Sequence, residues 1–299
     1  KGINVASSID VSKTTLTGSI QVTDPNYNYS GNALSYFLSN STNDKVDSGF
    51  KNKLTTIGIG TSFEQYRNVY LSPKISYAYD DLVVNSTASK SLKKQAGSFQ
   101  DLSFDYGILL DNRDRVYAPT EGNLTRFSQA LPIYADSPYL KNTFAFTQYK
   151  TFNPNAVGKL KFHASAINGL NDEDVRLNKR VSLSSNRLRG FESGKVGPKD
   201  GKDYVGGNYA LATNFELNLP NLLPEATKTD VGLFLDFGNV WAVDYDKQLD
   251  DSNKVRSSVG VNTSWLSPVG PMTFVFSQNL TKASTDVTET FNFKLGTTF

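Results

Sequence analysis

Apolar and polar residues alternate along much of this chain, most clearly in its last third. Tyr209, Leu211, Phe215, Leu217 and Leu219 fall on one phase, with Asn208, Asn214, Glu216 and Asn218 on the other. Val231, Leu233, Leu235 and Phe237 share a phase opposed to Gly232 and Asp236. Met272, Phe274 and Phe276 alternate with Thr273 and Ser277, and Phe291, Phe293 and Leu295 alternate with Asn292, Lys294 and Gly296. A period of two sends successive side chains to opposite faces of a sheet, so each set predicts a strand with one apolar and one polar face. Fourteen strands are predicted, near 2–11, 15–23, 32–40, 53–63, 68–79, 99–110, 122–131, 141–152, 158–168, 207–219, 229–238, 254–266, 271–279 and 287–299. Clusters of Asn, Asp, Gly, Pro and Ser separate them. No intervening segment has helical periodicity, and no low-complexity linker divides residues 1–299, which are expected to form one domain.

A soluble sandwich and a membrane barrel both produce this alternation, since each has one dry and one wet face. Three features favour the barrel. The strands approach the roughly 9–11 residues that a tilted membrane strand requires. The polar phase carries Glu216, Asp236, Arg256 and Lys294, as a hydrated lumen permits. Connectors at 64–67 and 267–270 are tight while those at 80–98, 169–206 and 239–253 are extended, the short-turn and long-loop habit of outer-membrane barrels. No apolar run reaches the roughly 18 residues of a membrane helix; Val231 to Leu235 is typical of the longest. Lys1-Gly2-Ile3-Asn4 lacks the apolar region of a signal peptide.

Composition then narrows the chemistry. Thirty-one Lys and Arg against 29 Asp and Glu leave a net charge of +2, which argues against a nucleic-acid-binding surface. Without cysteine there is neither a disulfide framework nor a thiolate metal site, and His163 is the single histidine. No metal, cofactor or enzymatic activity is expected. His163, between Phe162 and Ala164, reads as a lumen-facing strand residue and has no Ser and Asn arranged locally for catalysis. Lys90, Lys93 and Lys94 read as a solvated loop, with lipopolysaccharide phosphates as the sharper alternative.

Several motifs are more specific. Leu188-Arg189-Gly190-Phe191-Glu192 lies in the longest loop, followed by Val196-Gly197-Pro198, Val205-Gly206-Gly207-Asn208 and Phe215-Glu216-Leu217. Asp236-Phe237-Gly238-Asn239-Val240-Trp241 ends a predicted strand, and Ser267-Pro268-Val269-Gly270-Pro271 forms a predicted turn. The chain closes on Phe291-Asn292-Phe293-Lys294-Leu295-Gly296-Thr297-Thr298-Phe299. Asp111 to Asp114 and Pro119 to Gly122 flank another turn. In this order, across 111–299, the motifs resemble those of the BamA-type outer-membrane-protein assembly factors of the bacterial surface antigen superfamily; residues 1–100 match in strand rhythm alone.

The resemblance implies an all-β, transmembrane antiparallel barrel in the bacterial outer membrane. It carries fourteen strands of a sixteen-stranded plan, without the first hairpin and without the periplasmic POTRA repeats. Residues 2–11 would then be the third strand, with few or no hydrogen bonds to 287–299, and a chain without the templating first strand would be inactive. The 169–206 loop would fold into the lumen, where Arg189, flanked by Gly190 and Phe191, would contact Glu216 and Asp236, which alternation independently places inward. Gly238, Trp241, Ser267, Pro268, Gly270 and Pro271 would serve as strand-end and turn elements. Phe291, Phe293, Gly296 and the terminal Phe299 would form a C-terminal folding signal. The implied function is insertion of other barrels by strand templating at a weak lateral seam. The implied partners are outer-membrane lipids and lipopolysaccharide, unfolded outer-membrane clients and assembly-complex lipoproteins. A TamA-like or two-partner-secretion transporter, a passive porin and a soluble β-sandwich binding module are the alternatives.

Overall fold

The computed structural model describes residues 2–12, 14–249, 253–267 and 270–295. Its strands are β1 (Asn4–Val11), β2 (Thr15–Asp24), β3 (Ala33–Lys45), β4 (Phe50–Tyr66), β5 (Val69–Val84), β6 (Gly97–Asp111), β7 (Gly122–Ala135), β8 (Tyr139–Asn153), β9 (Ala156–Gly169), β10 (Lys199–Asp200), β11 (Asp203–Tyr204), β12 (Tyr209–Leu219), β13 (Thr229–Trp241), β14 (Arg256–Ser267), β15 (Gly270–Thr281) and β16 (Phe291–Leu295). Fourteen of them form one antiparallel meander, and β10 and β11 form a separate small hairpin in the connector between β9 and β12. Each wall strand overlaps a predicted one. Among the described residues β1 pairs with β2 and β16 with β15, the latter over the five pairs from Met272↔Leu295 to Phe276↔Phe291.

One face of this sheet is apolar and uncovered. Directly opposed residues share a face, and Leu38 stands opposite both Ile20 and Ile57 while Ile59 stands opposite Tyr36 and Ile75. All six are exposed, as are Phe215, Leu233, Phe276, Phe291 and Phe293 at the other end of the meander. So much exposed apolar surface marks a wall built to face hydrocarbon. Tyr77 and Tyr79, towards the loop end of β5, and Trp265, towards the turn end of β14, stand where aromatic residues meet the two membrane interfaces. No helix among the described residues is long and apolar enough to cross a membrane, which bears only on helical spans.

The opposite face encloses a loop. The connector 170–208 touches Asp101 on β6 through Arg176, Asp236 on β13 through Arg189 and Asn279 on β15 through Gly190. One segment reaches strands so far apart in the meander only if the sheet is rolled around it. The apolar cores lie accordingly between loop and wall. Val175, Val181, Leu183, Leu188, Phe191 and Val196 pack with Ile167, Ala210, Ala212 and Val240. Leu177 and Val205 join Phe50, Leu82, Ala88, Leu92 and Val243 in a second cluster.

Three expectations need correction. The short and long connectors do not alternate strictly: on the side of the long loop, 12–14, 46–49 and 136–138 are short, and on the other side 25–32, 112–121 and 220–228 are extended. Hydrogen bonding carries β4 and β5 to 17 and 16 residues, past the apolar alternation and into polar pairs such as Lys53↔Asp81, which shortens the connectors at that end. The segment 80–98 is also not a solvated loop throughout. It contains a helical turn, α1 (Lys90–Lys93), capped by Ser89 and anchored by the fully buried Leu92. Finally, the inward connector runs from 170 to 208, because β9 continues to Gly169 and β12 begins only at Tyr209.

Candidate functional site

Alternation in β12 and β13 sets the floor of the site. Asn214 stands opposite Asp236, and Glu216 opposite Phe234, all on the buried inward phase. Arg189 descends from the loop onto this row. Its Nε and Nη2 donate to the two oxygens of Asp236, each at 2.7 Å, and its backbone amide donates to Asp236 Oδ2 at 3.1 Å. Its Nη1 donates to Glu216 Oε2 at 2.8 Å. The guanidinium also lies over the Phe234 ring, 3.7 Å from the centroid. This fork on a carboxylate is the geometry for which a planar guanidinium is suited and a lysine is not. Glu216 has a second cation, Lys159 Nζ at 2.6 Å from Oε1, placed directly across the β9–β12 ladder.

The residues after Arg189 lock the loop sideways. Gly190 adopts φ 88°, and a Cβ there would lie 3.0 Å from Asn279 Nδ2 and 3.2 Å from Ser258 Cβ, so glycine is required by both conformation and space. The Gly190 carbonyl accepts from Asn279 Nδ2 at 2.8 Å and from the Glu289 amide at 2.9 Å. Phe191 is buried and forms a bridge to Thr288, while Glu192 and Lys195 pair with each other and Lys195 reaches Asp47 at 3.0 Å. Gly238, beside the row that holds Asp236, leaves room for Leu183 and Leu188 to pack on the wall. Trp241 ends β13 with its ring 5.8 Å from Tyr209.

The other motif residues lie away from this latch. Ser267 donates to the Gly270 carbonyl at 2.6 Å across the β14–β15 turn, and Pro271 stands opposite Leu266. Phe291 and Phe293 stack on Phe276 and Phe274, at 4.9 and 5.2 Å, on the lipid-facing side. Pro268, Gly296 and Phe299 lie outside the described residues. In the 112–121 turn, Arg113 forks onto Asp111, and Asp114 accepts from the Thr120 hydroxyl at 2.8 Å and from the Thr120 and Glu121 amides. The hydroxyl bond, aided by the amides, holds the Asp114 carboxyl down to about 2.

Sequence reasoning missed a second set of anchors in the same loop. Arg176 donates to both oxygens of Asp101 on β6, at 2.8 and 3.1 Å, and stacks on Phe99. Lys179 reaches Asp101 at 2.9 Å, and Asn178 bonds Asp80 on β5, which also accepts from Asn52 at 3.0 Å. Arg180 pairs with Asp244, beyond β13. Arg256, fully buried, pairs with Asp286 at 2.8 Å. The available signal was the basic run Arg176 to Arg180 together with Asp80 and Asp101 at the loop-side ends of their strands.

A family model described as the Omp85 superfamily domain matches residues 1–299. The outer membrane protein assembly factor BamA of Neisseria meningitidis serogroup B is 29% identical over 340 residues, covering 96% of this chain and 42% of that protein. BamA of Neorickettsia risticii is 28% identical over 230 residues, covering 75% of the chain and 31% of that protein. The chain thus spans well under half the length of these relatives. The crystal structure of BamA from Haemophilus ducreyi lacking POTRA domains 1–3 superposes with a TM-score of 0.89 at 21% identity, covering 98% of this chain and 64% of that one, a likeness of fold.

Proposed function

Because the chain belongs to the Omp85 superfamily, we propose that it is the membrane wall of an assembly factor that folds and inserts other β-barrel proteins into the bacterial outer membrane. It is itself an outer-membrane β-barrel. The observation that carries the reading is the latch, in which a 170–208 loop is held inside the lumen by one buried arginine on two wall carboxylates. A loop so anchored obstructs the conduit that a wide passive pore keeps water-filled. The wall also has an economical route to templating. A strand edge at the seam would offer an incoming chain a row of backbone donors and acceptors. No covalent step and no cofactor enters such a process. The partners that follow are unfolded outer-membrane proteins as clients, outer-membrane lipids with lipopolysaccharide, and lipoprotein subunits of an assembly complex. Phe291 and Phe293 belong, in this reading, to a folding signal that completes at Gly296 and Phe299.

The test is reconstitution in liposomes of the protein that carries this barrel, followed by addition of a urea-unfolded outer-membrane client. The expected result is faster acquisition of the client's protease-resistant folded form than in empty liposomes. A large, steady conductance with no effect on client folding would support a pore and overturn the assembly reading; export of a soluble passenger with no client insertion would favour the TamA-like or two-partner-secretion alternative.

A further inference from the structure

One stretch of the lumen wall carries several cations that form no direct ion pair among the described residues. Arg126 on β7 stands opposite Ala145 on β8, Ala145 opposite His163 on β9, and His163 opposite Ala212 on β12. Directly opposed residues share a face, so these four form one row, and the buried His163 identifies that row as inward. Lys161 occupies the next inward row of β9, and Lys141 the same phase of β8 as Ala145. Arg187 closes the space from the loop: its carbonyl accepts from Asn214 Nδ2 at 2.9 Å, and its guanidinium lies within electrostatic reach of His163 and Lys141. Glu216 and Asp236, within electrostatic reach of Lys161, are already bonded by Lys159 and Arg189, and Asp111, within reach of Arg126, is held by Arg113. Among the described residues Arg126, Lys141, Lys161 and Arg187 have no ion-pair partner.

A second observation points to an occupant. His163 is 7% exposed, and its Nδ1 is buried without a hydrogen-bond partner. Native proteins seldom leave such an atom unsatisfied, and an ion or water is the usual remedy. Of the two neighbours of His163 in the row, Ala212 is packed beneath the loop, and Ala145 is the small, less covered one. Rows of opposed residues lie roughly 5 Å apart between strands, which puts Arg126 about 10 Å from His163 and lets both side chains reach a common point. Walls of low dielectric focus the summed field of these cations on the alcove.

We propose that this alcove is an oxyanion site in the barrel lumen, taking a phosphate group between Arg187, Lys161 and Arg126 with the His163 ring completing its hydrogen bonds. The guanidinium of Arg187 supplies the forked contact that phosphate favours. Free phosphate and the headgroup of a lipid share this chemistry.

His163 is the one histidine of the sequence, so its ring carbon and nitrogen resonances form a single-site reporter in the detergent-folded protein. Titration with inorganic phosphate at constant ionic strength should move these signals saturably, and chloride should not. A short-chain phosphatidylglycerol titrated in parallel identifies the source: saturation at lower concentration than inorganic phosphate means a lipid headgroup, and the reverse means the free ion. R187Q should weaken phosphate binding by about tenfold, the loss of one charge-assisted contact, and K161Q should act in the same direction. K150Q, on the outer face, should leave it unchanged. Resistance to unfolding in cold detergent confirms that each variant is folded, and K161Q carries the test should R187Q misfold. No saturable movement in the unsubstituted protein, or equal affinity in R187Q and K161Q, would overturn the site.

Discussion

Substituting Arg189 with glutamine tests the latch directly. The variant keeps the backbone bond to Asp236 but loses the two guanidinium bonds to that carboxylate and the one to Glu216. Asp236 is fully buried, so it would be left as an uncompensated charge. Breaking such a pair costs about 3–5 kcal/mol in a dry interior. Two features reduce the cost here. Glu216 retains Lys159 at 2.6 Å, and a hydrated lumen lets water reach the abandoned carboxylate. An effect near the lower limit, about 3 kcal/mol, is expected, which corresponds to roughly a hundredfold shift towards the released loop. Limited trypsin digestion of the protein in liposomes reads this out, since release exposes the loop at Lys195 and Arg187. A urea titration followed by the fluorescence of Trp241, five residues beyond Asp236, reports the same loss. R189K should recover little, because one ammonium cannot span both oxygens of Asp236 and reach Glu216. R189Q combined with D236N should be markedly less harmful than the sum of the two single changes. Unaltered protection of the loop in R189Q, or strict additivity in the double variant, would refute the account of Arg189 as an ionic latch.

Other consequences can be checked with the same preparation. G190A forces a Cβ into a left-handed position beside Asn279 and Ser258 and should destabilise the loop by about 1–3 kcal/mol, seen as faster trypsin cleavage. Spin labels at Leu217, Leu233, Phe274 and Phe293 should be relaxed by oxygen and shielded from aqueous nickel, whereas accessibility to nickel at most of them would argue against a lipid-facing wall. The Asp114 carboxyl sits at about 2, below its ordinary 3.8, so its ordering of the 112–121 turn is complete above the ordinary value and is lost as pH falls from there through about 2. Amide exchange at Thr120 and Glu121 should accelerate in that window, and constant protection down to pH 1.5 would contradict it.

The strand content was legible because lipid and lumen impose opposite demands on adjacent residues, so every membrane-crossing stretch had to alternate. That same rule put Glu216 and Asp236 inward, and the Arg-Gly-Phe motif supplied the third member. Lys159 was equally readable in principle: it shares the inward phase of β9 and falls opposite Glu216 once the register is known. The path of the loop was not readable. Arg176 finds Asp101 at a separation of 75 residues, and nothing local to either residue encodes that meeting. The hairpin of β10 and β11 has two residues per strand, too few for a period to register. Strand ends beyond the membrane were lost for a related reason, since there hydrogen bonding continues after the hydrophobic selection that reveals it has ceased.

The depth of the loop follows from where the inward phase changes character. Down the β12–β13 ladder the inward pairs run Ala210–Val240, Ala212–Gly238, Asn214–Asp236 and Glu216–Phe234. The first two are small and apolar and receive Leu183 and Leu188; the next two carry both carboxylates and receive Arg189. Successive inward pairs are about 6.7 Å apart. A shift of the loop by one row towards its own mouth would bring the guanidinium against Ala212 and Gly238, with no acceptor, and would leave Asp236 bare. A shift the other way would push Leu188 onto a charged carboxylate row. Neither displaced position satisfies both halves of the loop, so the wall sequence specifies a single seating. The arginine and the leucines on the loop therefore act as one ruler: apolar packing limits how far it descends, and the carboxylate pair limits how far it rises.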